Sequence, residues 1–211
     1  MNDVVLASAS PRRRELLAAV VGAFRVHASD VTESMTGDAR ADAERLARDK
    51  AAAVAAVEPR AIVVGADTIV HDGARAYGKP RDAVDAVVML RALEGREHTV
   101  VTGVAVAVPG GGLRSGVSES RVLMAPLSDA AIDAYVASGR PLDKAGAYAI
   151  QDEDVPTVAG LHGCYCSVMG LPLWLLCALL DGTGTVLDDP SATVLRCAHC
   201  PERPRQDCSS A

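Results

Sequence analysis

The stretch Val4–Leu17, VVLASASPRRRELL, constrains the fold of this chain more than any other. Val4, Val5, Leu6 and Ala7 have the length and residue types of a buried strand. Ser8, Ala9 and Ser10 form a tight polar turn, and Pro11 opens a helix that carries Arg12, Arg13 and Arg14. Ser10 suits the N-cap and Pro11 the first helical position, where a missing N–H costs nothing. Free backbone N–H groups, a positive helix end and guanidinium forks together make an anion site suited to phosphates. A plain capped helix with a solvated arginine face would read the same locally, so the rest of the chain has to decide.

The rest alternates helices with strands. Phe24–Ala28 reads as a second short strand, and 31–37 (VTESMTG) as a polar loop that contains Glu33. Asp38–Val57 is Ala-rich with apolar residues at helical spacing, its outer face carrying Arg40, Glu44, Arg45 and Lys50. Ala61–Val64 is a continuous apolar run, hence a buried strand, and it runs through Gly65, Ala66, Asp67 and Thr68 to Val70. Lys79 and Pro80 precede a helix over about 81–93. Thr99–Val108 is a β-branched strand, 109–112 (PGGG) a hairpin loop, and Ser118–Ala125 the returning strand. Ser128 caps a helix over 129–138, Ala145–Ile150 reads as a further strand leading to Gln151, and 171–180 as a buried helix. This pattern predicts an α/β fold, a mixed twisted sheet with flanking helices.

Composition narrows the function. At 211 residues the chain suits one substantial domain, and its 49% hydrophobic content is ample for a core. A net charge of −6 argues against a nucleic-acid polymer as partner, and arginine clusters on an acidic chain point to a small anionic ligand. The apolar run 171–180 is about half of the ~20 residues a membrane span needs. The N-terminus, MNDVV, lacks the basic region and apolar run of a secretory leader. A cytoplasmic protein, not membrane-bound, is expected.

Ligands of open α/β sheets collect beyond the carboxyl ends of strands. Those ends supply Ser8, Ser10, Arg12 and Arg13, then Asp67 and Thr68, then Gln151, with Lys79 at a turn pinned by Gly78 and Pro80. Asp67 stands out, because a carboxylate ending a buried strand must be paired, hydrogen-bonded or metal-bound to stay charged. Its bland alternative is a turn cap shared with Thr68. Glu33 and Lys50 would be solvated in most loops and helices, and spacing alone does not single them out. Together, the arginines, Lys50 and Lys79 supply cations while Asp67 and Glu33 supply hard oxygen ligands, the mixture that a Mg²⁺–triphosphate site requires.

These stretches resemble the Maf family of nucleoside triphosphate pyrophosphatases. The resemblance rests on LASASPRRREL (6–16), DVTES (30–34), LARDKA (46–51), VVGADTIV (63–70), GKP (78–80), GREHTVVTGV (95–104), LDKAGAYAIQ (142–151) and VMGLPL (168–173). They follow the family's order and place a Maf-like domain over 1–182. The resemblance implies a fold elongated around a central cleft, similar to inosine triphosphate pyrophosphatases. It implies Mg²⁺- or Mn²⁺-dependent hydrolysis of a nucleoside triphosphate to monophosphate and pyrophosphate. Asp67 falls on the family's proton acceptor, and Ser8, Ser10, Arg12 and Arg13 fall on its phosphate-binding positions. Glu33, Lys50 and Lys79 fall on other polar positions of the cleft, with Glu33 assisting Asp67 in metal binding. Arg12, Thr68 and Gln151 resemble the residues of the dTTP/UTP subgroup rather than of the subgroup that prefers 7-methyl-GTP. An amide such as Gln151 can read both the donor and the acceptor of a pyrimidine edge. The family also implies homodimers, although no stretch of the sequence marks an interface.

Two departures stand out. After Gln151 the chain continues Asp152, Glu153, Asp154, where the family has a glycine-rich turn and an apolar strand. Three acids beside a triphosphate cleft would repel substrate unless they point away or hold metal, and they favour a rival reading as a non-catalytic nucleotide-binding or regulatory protein. The second departure is 161–167 (LHGCYCS), which replaces a more acidic and polar stretch, and beyond the resemblance the Gly, Asp, Pro, Ser and Cys content of residues 183–211 reads as a flexible tail. Cys197 and Cys200, with Cys208, form half of a four-ligand zinc pattern that Cys164 or Cys166 could complete; the aperiodic composition favours a flexible extension without metal.

Overall fold

The computed structural model describes residues 3–152 and 154–204. Strand β1 (Val4–Leu6) is followed by helix α1 (Pro11–Ala18), β2 (Arg25–Val26), α2 (Ala39–Val57), β3 (Ile62–His71) and β4 (Ala76–Tyr77). Next come α3 (Ala83–Leu93), the long hairpin β5 (Glu97–Val108) and β6 (Gly112–Met124), and α4 (Asp129–Ala137). The described residues close with β7 (Val158–His162), α5 (Tyr165–Met169), α6 (Leu173–Leu180), α7 (Pro190–Thr193) and a 3₁₀ turn at Leu195–His199. Among the described residues these strands form one seven-stranded mixed sheet in the order β2-β1-β3-β5-β6-β7, with β4 pairing the far end of β3. β1 runs parallel to β2 and β3, while the strands from β3 through β7 pair antiparallel. The expected mixed sheet with flanking helices is present.

One face of the sheet is covered by α2, and two glycines set how close it comes. A Cβ on Gly65 would lie 2.4 Å from the Ala47 carbonyl oxygen, and one on Gly103 would lie 2.2 Å from that of Ala43. Only hydrogen fits in those gaps, so the backbone of α2 sits directly on β3 and β5. The small residues Ala43, Ala47 and Ala51 are fully buried there. This close approach explains the Ala-rich composition of α2, and it holds Lys50 over the sheet. On the other face Leu16, Leu17, Leu173 and Leu176 pack against Val4, Leu6, Val64 and Val104.

Two sequence expectations change, and one strand has no sequence expectation behind it. Ala145–Ile150 is not a strand: Ala145–Ala147 is a 3₁₀ turn in which Gly146 and Ala147 take positive φ, 71° and 61°. That end of β3 is already flanked by β4 at Val70 and His71 on one side and by β5 on the other, so no sheet edge is open to the segment. Instead the Gly146 N–H donates to Gly78 O at 3.1 Å, which ties the turn to the GKP stretch. β7, unread in the sequence, pairs with β6 across an irregular register at Leu123/Met124. The segment expected to be a flexible tail packs on the core as far as Cys200: Cys197 is 1% exposed, and both cysteines join the same apolar cluster as Leu173 and Leu176. Cys208 and Glu153 lie outside the described residues.

Candidate active site

A cleft of about 420 Å³ opens at the C-terminal end of β1 and along β3. The residues assigned to a phosphate and metal site from the sequence line it: Ser8, Ser10, Arg12 and Arg13 from the β1–α1 turn, Glu33 from the loop before α2, and Lys50 from α2 itself. Asp67 and Thr68 from β3, Lys79 from the GKP stretch and Gln151 complete the lining. The sequence separates these positions by more than 140 residues, and the fold gathers them.

At the centre is an ion cluster in which Lys50 and Asp67 are buried and Glu33 is exposed. Lys50 Nζ donates to Asp67 Oδ1 and to Glu33 Oε1, each at 2.5 Å. Asp67 is 6% exposed and sits opposite Gly103 in the sheet, under α2. Burial raises the Asp67 carboxyl above its ordinary value, with the Lys50 ammonium opposing that shift. Burial acts the same way on Glu33, but there the Lys50 hydrogen bond and the charges of Lys50, Lys79 and Arg13 reverse it, and the net shift is downward. Two neighbouring carboxylates are thus biased apart, Asp67 towards proton acceptance and Glu33 towards staying ionised. Two carboxylate oxygens converging on one ammonium also form a hard-oxygen donor pair that fits a Mg²⁺- or Mn²⁺-type ion.

Arg13 forms the opposite wall. Its Nε donates to Gly170 O at 2.9 Å, Nη1 to Ser8 Oγ at 3.2 Å and Nη2 to Thr68 Oγ1 at 3.1 Å. With three acceptors the half-buried guanidinium is held in one orientation, and its desolvation lowers its pKa while the Asp67 charge raises it. Ser10 is the N-cap of α1 and accepts from the Arg13 N–H at 3.4 Å; its own N–H donates to Ser8 Oγ at 3.2 Å. Arg12 turns the other way, to Asp143 Oδ2 at 3.2 Å.

Some contributors were invisible in the sequence. Thr102 shares a hydrogen bond with Thr68 at 3.0 Å and donates to Ser167 O at 2.8 Å, so β5 holds the cleft threonine in place. Asp42, fully buried, accepts from the Thr36 N–H at 2.7 Å and the Gly37 N–H at 3.2 Å, and its partner Arg45 also reaches Ser34 O. That anchors the loop carrying Glu33. Lys144 and Tyr148 line the cleft too. Lys144 lies within the LDKAGAYAIQ stretch, the one signal that could have flagged it. Of the acids after Gln151, the two that are described face elsewhere: Asp152 accepts from Tyr135 Oη at 2.5 Å, and Asp154 pairs with Arg140 at 2.7 Å.

With this geometry in hand, comparison with known proteins is decisive. The Maf family, described as Maf-like protein, matches residues 3–183. The chain belongs to the Maf family. The dTTP/UTP pyrophosphatase of Myxococcus xanthus is 49% identical to it over 186 residues, covering 87% of this Maf chain and 94% of the relative. That of Geobacter sulfurreducens is 51% identical over 173 residues, covering 81% and 91%. Among solved structures, the nucleoside-triphosphatase (dITP/XTP pyrophosphatase) of Mycobacterium abscessus is a distant likeness, with 15% identity and a TM-score of 0.40 over 59% of this chain and 75% of that one.

Proposed function

We propose that this Maf protein hydrolyses nucleoside triphosphates, dTTP and UTP among them, to the monophosphate and pyrophosphate. The observation that carries the reading is the Asp67–Lys50–Glu33 cluster, at 2.5 Å on both sides, in the same cleft as the Ser8–Arg13 turn. The relatives named dTTP/UTP pyrophosphatase support the substrate class.

The α1 N-terminus, Ser8, Ser10 and Arg13 bind the phosphate chain, with Lys79 and Lys50 adding charge from the facing wall. Asp67 orients a water in line with the α-phosphorus and accepts its proton, a role that its raised pKa suits. The attack breaks the bond between the α-phosphorus and its bridging oxygen, and pyrophosphate leaves against the Arg13 side of the cleft. Glu33 and Asp67 would hold a divalent metal ion, Mg²⁺ or Mn²⁺, which when bound neutralises phosphate oxygens where charge develops. Arg12, Thr68 and Gln151 are the residues that discriminate the base; Gln151 offers an amide donor and acceptor at the cleft rim. A nucleotide-pool substrate fits a cytoplasmic setting, and no described helix is long and apolar enough to cross a membrane.

The non-catalytic alternative drew on the acidic run after Gln151, and Asp152 and Asp154 are both engaged outside the cleft lining. The test is product identification by phosphorus NMR across canonical and modified nucleoside triphosphates. Monophosphate plus pyrophosphate from dTTP and UTP supports the reading. Diphosphate plus phosphate, or binding with no turnover, overturns it.

A further inference from the structure

Four cysteines that the cleft does not use converge at the start of α5. Cys164 is the N-cap of α5 and Cys166 lies in its first turn, while Cys197 and Cys200 come from the 3₁₀ turn Leu195–His199 and its end. All four are buried. Cys166 and Cys197 approach to 3.4 Å between sulfurs, and the sulfurs of Cys164 and Cys200 lie close beside them. The sulfurs of Cys164 and Cys200 and a carboxylate oxygen of Glu202 all lie within 4.8 Å of one another. Glu202 Oε1 accepts from Ser118 Oγ, but its Oε2 is buried without a hydrogen-bond partner. A buried orphan carboxylate oxygen is costly unless a cation meets it, and this carboxylate lies beside two thiols.

We propose that this cluster is a binding site for one thiophilic divalent cation, Zn²⁺, which clips the C-terminal segment onto the catalytic domain. Cys164, Cys200 and Glu202 supply three ligands, and one sulfur of the adjoining Cys166–Cys197 pair, outside that close group, swings in as the fourth. A tetrahedral zinc with Zn–S bonds of about 2.3 Å sets its sulfurs about 3.8 Å apart, so Cys164, Cys200 and Glu202, already within 4.8 Å of one another, close on the ion with small side-chain shifts. Sulfur with one carboxylate favours zinc over Mg²⁺, which separates this site chemically from the all-oxygen pair in the cleft. Binding releases the thiol protons to solvent. The site also bears on the cleft at a distance. α5 starts at the cysteines, and at its other end Ser167 O and Gly170 O fix Thr102 and Arg13 at 2.8 and 2.9 Å.

The experiment uses the full chain purified under reducing conditions without chelator. Elemental analysis is expected to find one zinc per chain, and Co²⁺ exchanged for it should show the thiolate charge-transfer and visible bands of a tetrahedral sulfur site. Cys200→Ser and Glu202→Gln should each weaken zinc binding, the former by about 100-fold or more. Cys177→Ser, at a half-buried thiol outside the cluster, and Asp67→Asn, in the cleft, should both keep the metal. The proposal is overturned if the wild-type chain takes up neither ion in stoichiometric amount. It is equally overturned if mass mapping recovers Cys164–Cys200 and Cys166–Cys197 as disulfides, or if zinc survives the Cys164→Ser, Cys200→Ser double variant.

Discussion

Replacing Gly65 with alanine should disable the cleft without touching any group in it. The added Cβ would lie 2.4 Å from Ala47 O, 2.7 Å from Ala51 N and 2.9 Å from Ala51 Cβ. Ordinary contact begins at 3.4 Å, and the two nearest atoms are helix backbone, so α2 must retreat by about 1.0 Å. Lys50 lies between those two alanines on the same helix. A retreat of that size stretches its 2.5 Å contact with Asp67 to about 3.5 Å, beyond hydrogen-bond range. Overpacking of this kind costs about 1–3 kcal/mol, and a misplacement of about 1 Å in a catalytic group costs about 100-fold in rate. Thermal unfolding and kcat/KM for dTTP, measured on the same preparation, should therefore both fall. Gly116→Ala is the internal comparison: its Cβ meets only the Leu175 side-chain tip, which can move aside, so stability and rate should stay near wild type. A Gly65→Ala variant with wild-type melting and turnover would refute the claim that helix–sheet contact sets the Lys50–Asp67 geometry.

Other outcomes follow from the same structure. kcat/KM should decline as pH falls through the Asp67 pKa, and because burial raises that value the acid limb should lie above 3.8; a limb at or below 3.8 contradicts the assignment. Asp152→Asn and Asp154→Asn should leave kcat/KM unchanged, since both acids bond away from the cleft; a clear gain in turnover would mean that their charge reaches the substrate. His98 is buried against the Tyr148 hydroxyl at 2.7 Å, and burial pushes its pKa from 6.5 down to about 4. The folded chain thus binds fewer protons there than the unfolded one, so stability is complete above pH 6.5 and is lost as pH falls towards 4. His98→Gln should flatten that part of a denaturation-versus-pH curve, and an unchanged slope would assign it to other groups.

Much of the cleft was legible because local chemistry and strand ends coincide. The Val4–Ala7 run, the proline-opened α1 and the apolar run into Asp67 each carry their own signal, and each lands where the pattern put it. What failed depended on partners far away in sequence. Ala145–Ile150 has strand-like residues, but β4 and β5 already flank the end of β3 that it crosses. Residues 190–200 have no periodicity, yet Cys197 and Cys200 are buried because α5 and α6 present a face for them to cover. The roles of Asp42 and Thr102 are hydrogen bonds to a loop and to a helix carbonyl, and neither leaves a trace in spacing.

Pyrophosphate release from dTTP and UTP by wild type and Asp67→Asn, side by side, tests the central claim most directly. The account predicts release by wild type and a loss of about 100-fold or more in the variant, with cooperative unfolding retained because Lys50 keeps Glu33 as its partner. A folded Asp67→Asn chain that releases pyrophosphate at the wild-type rate would contradict it.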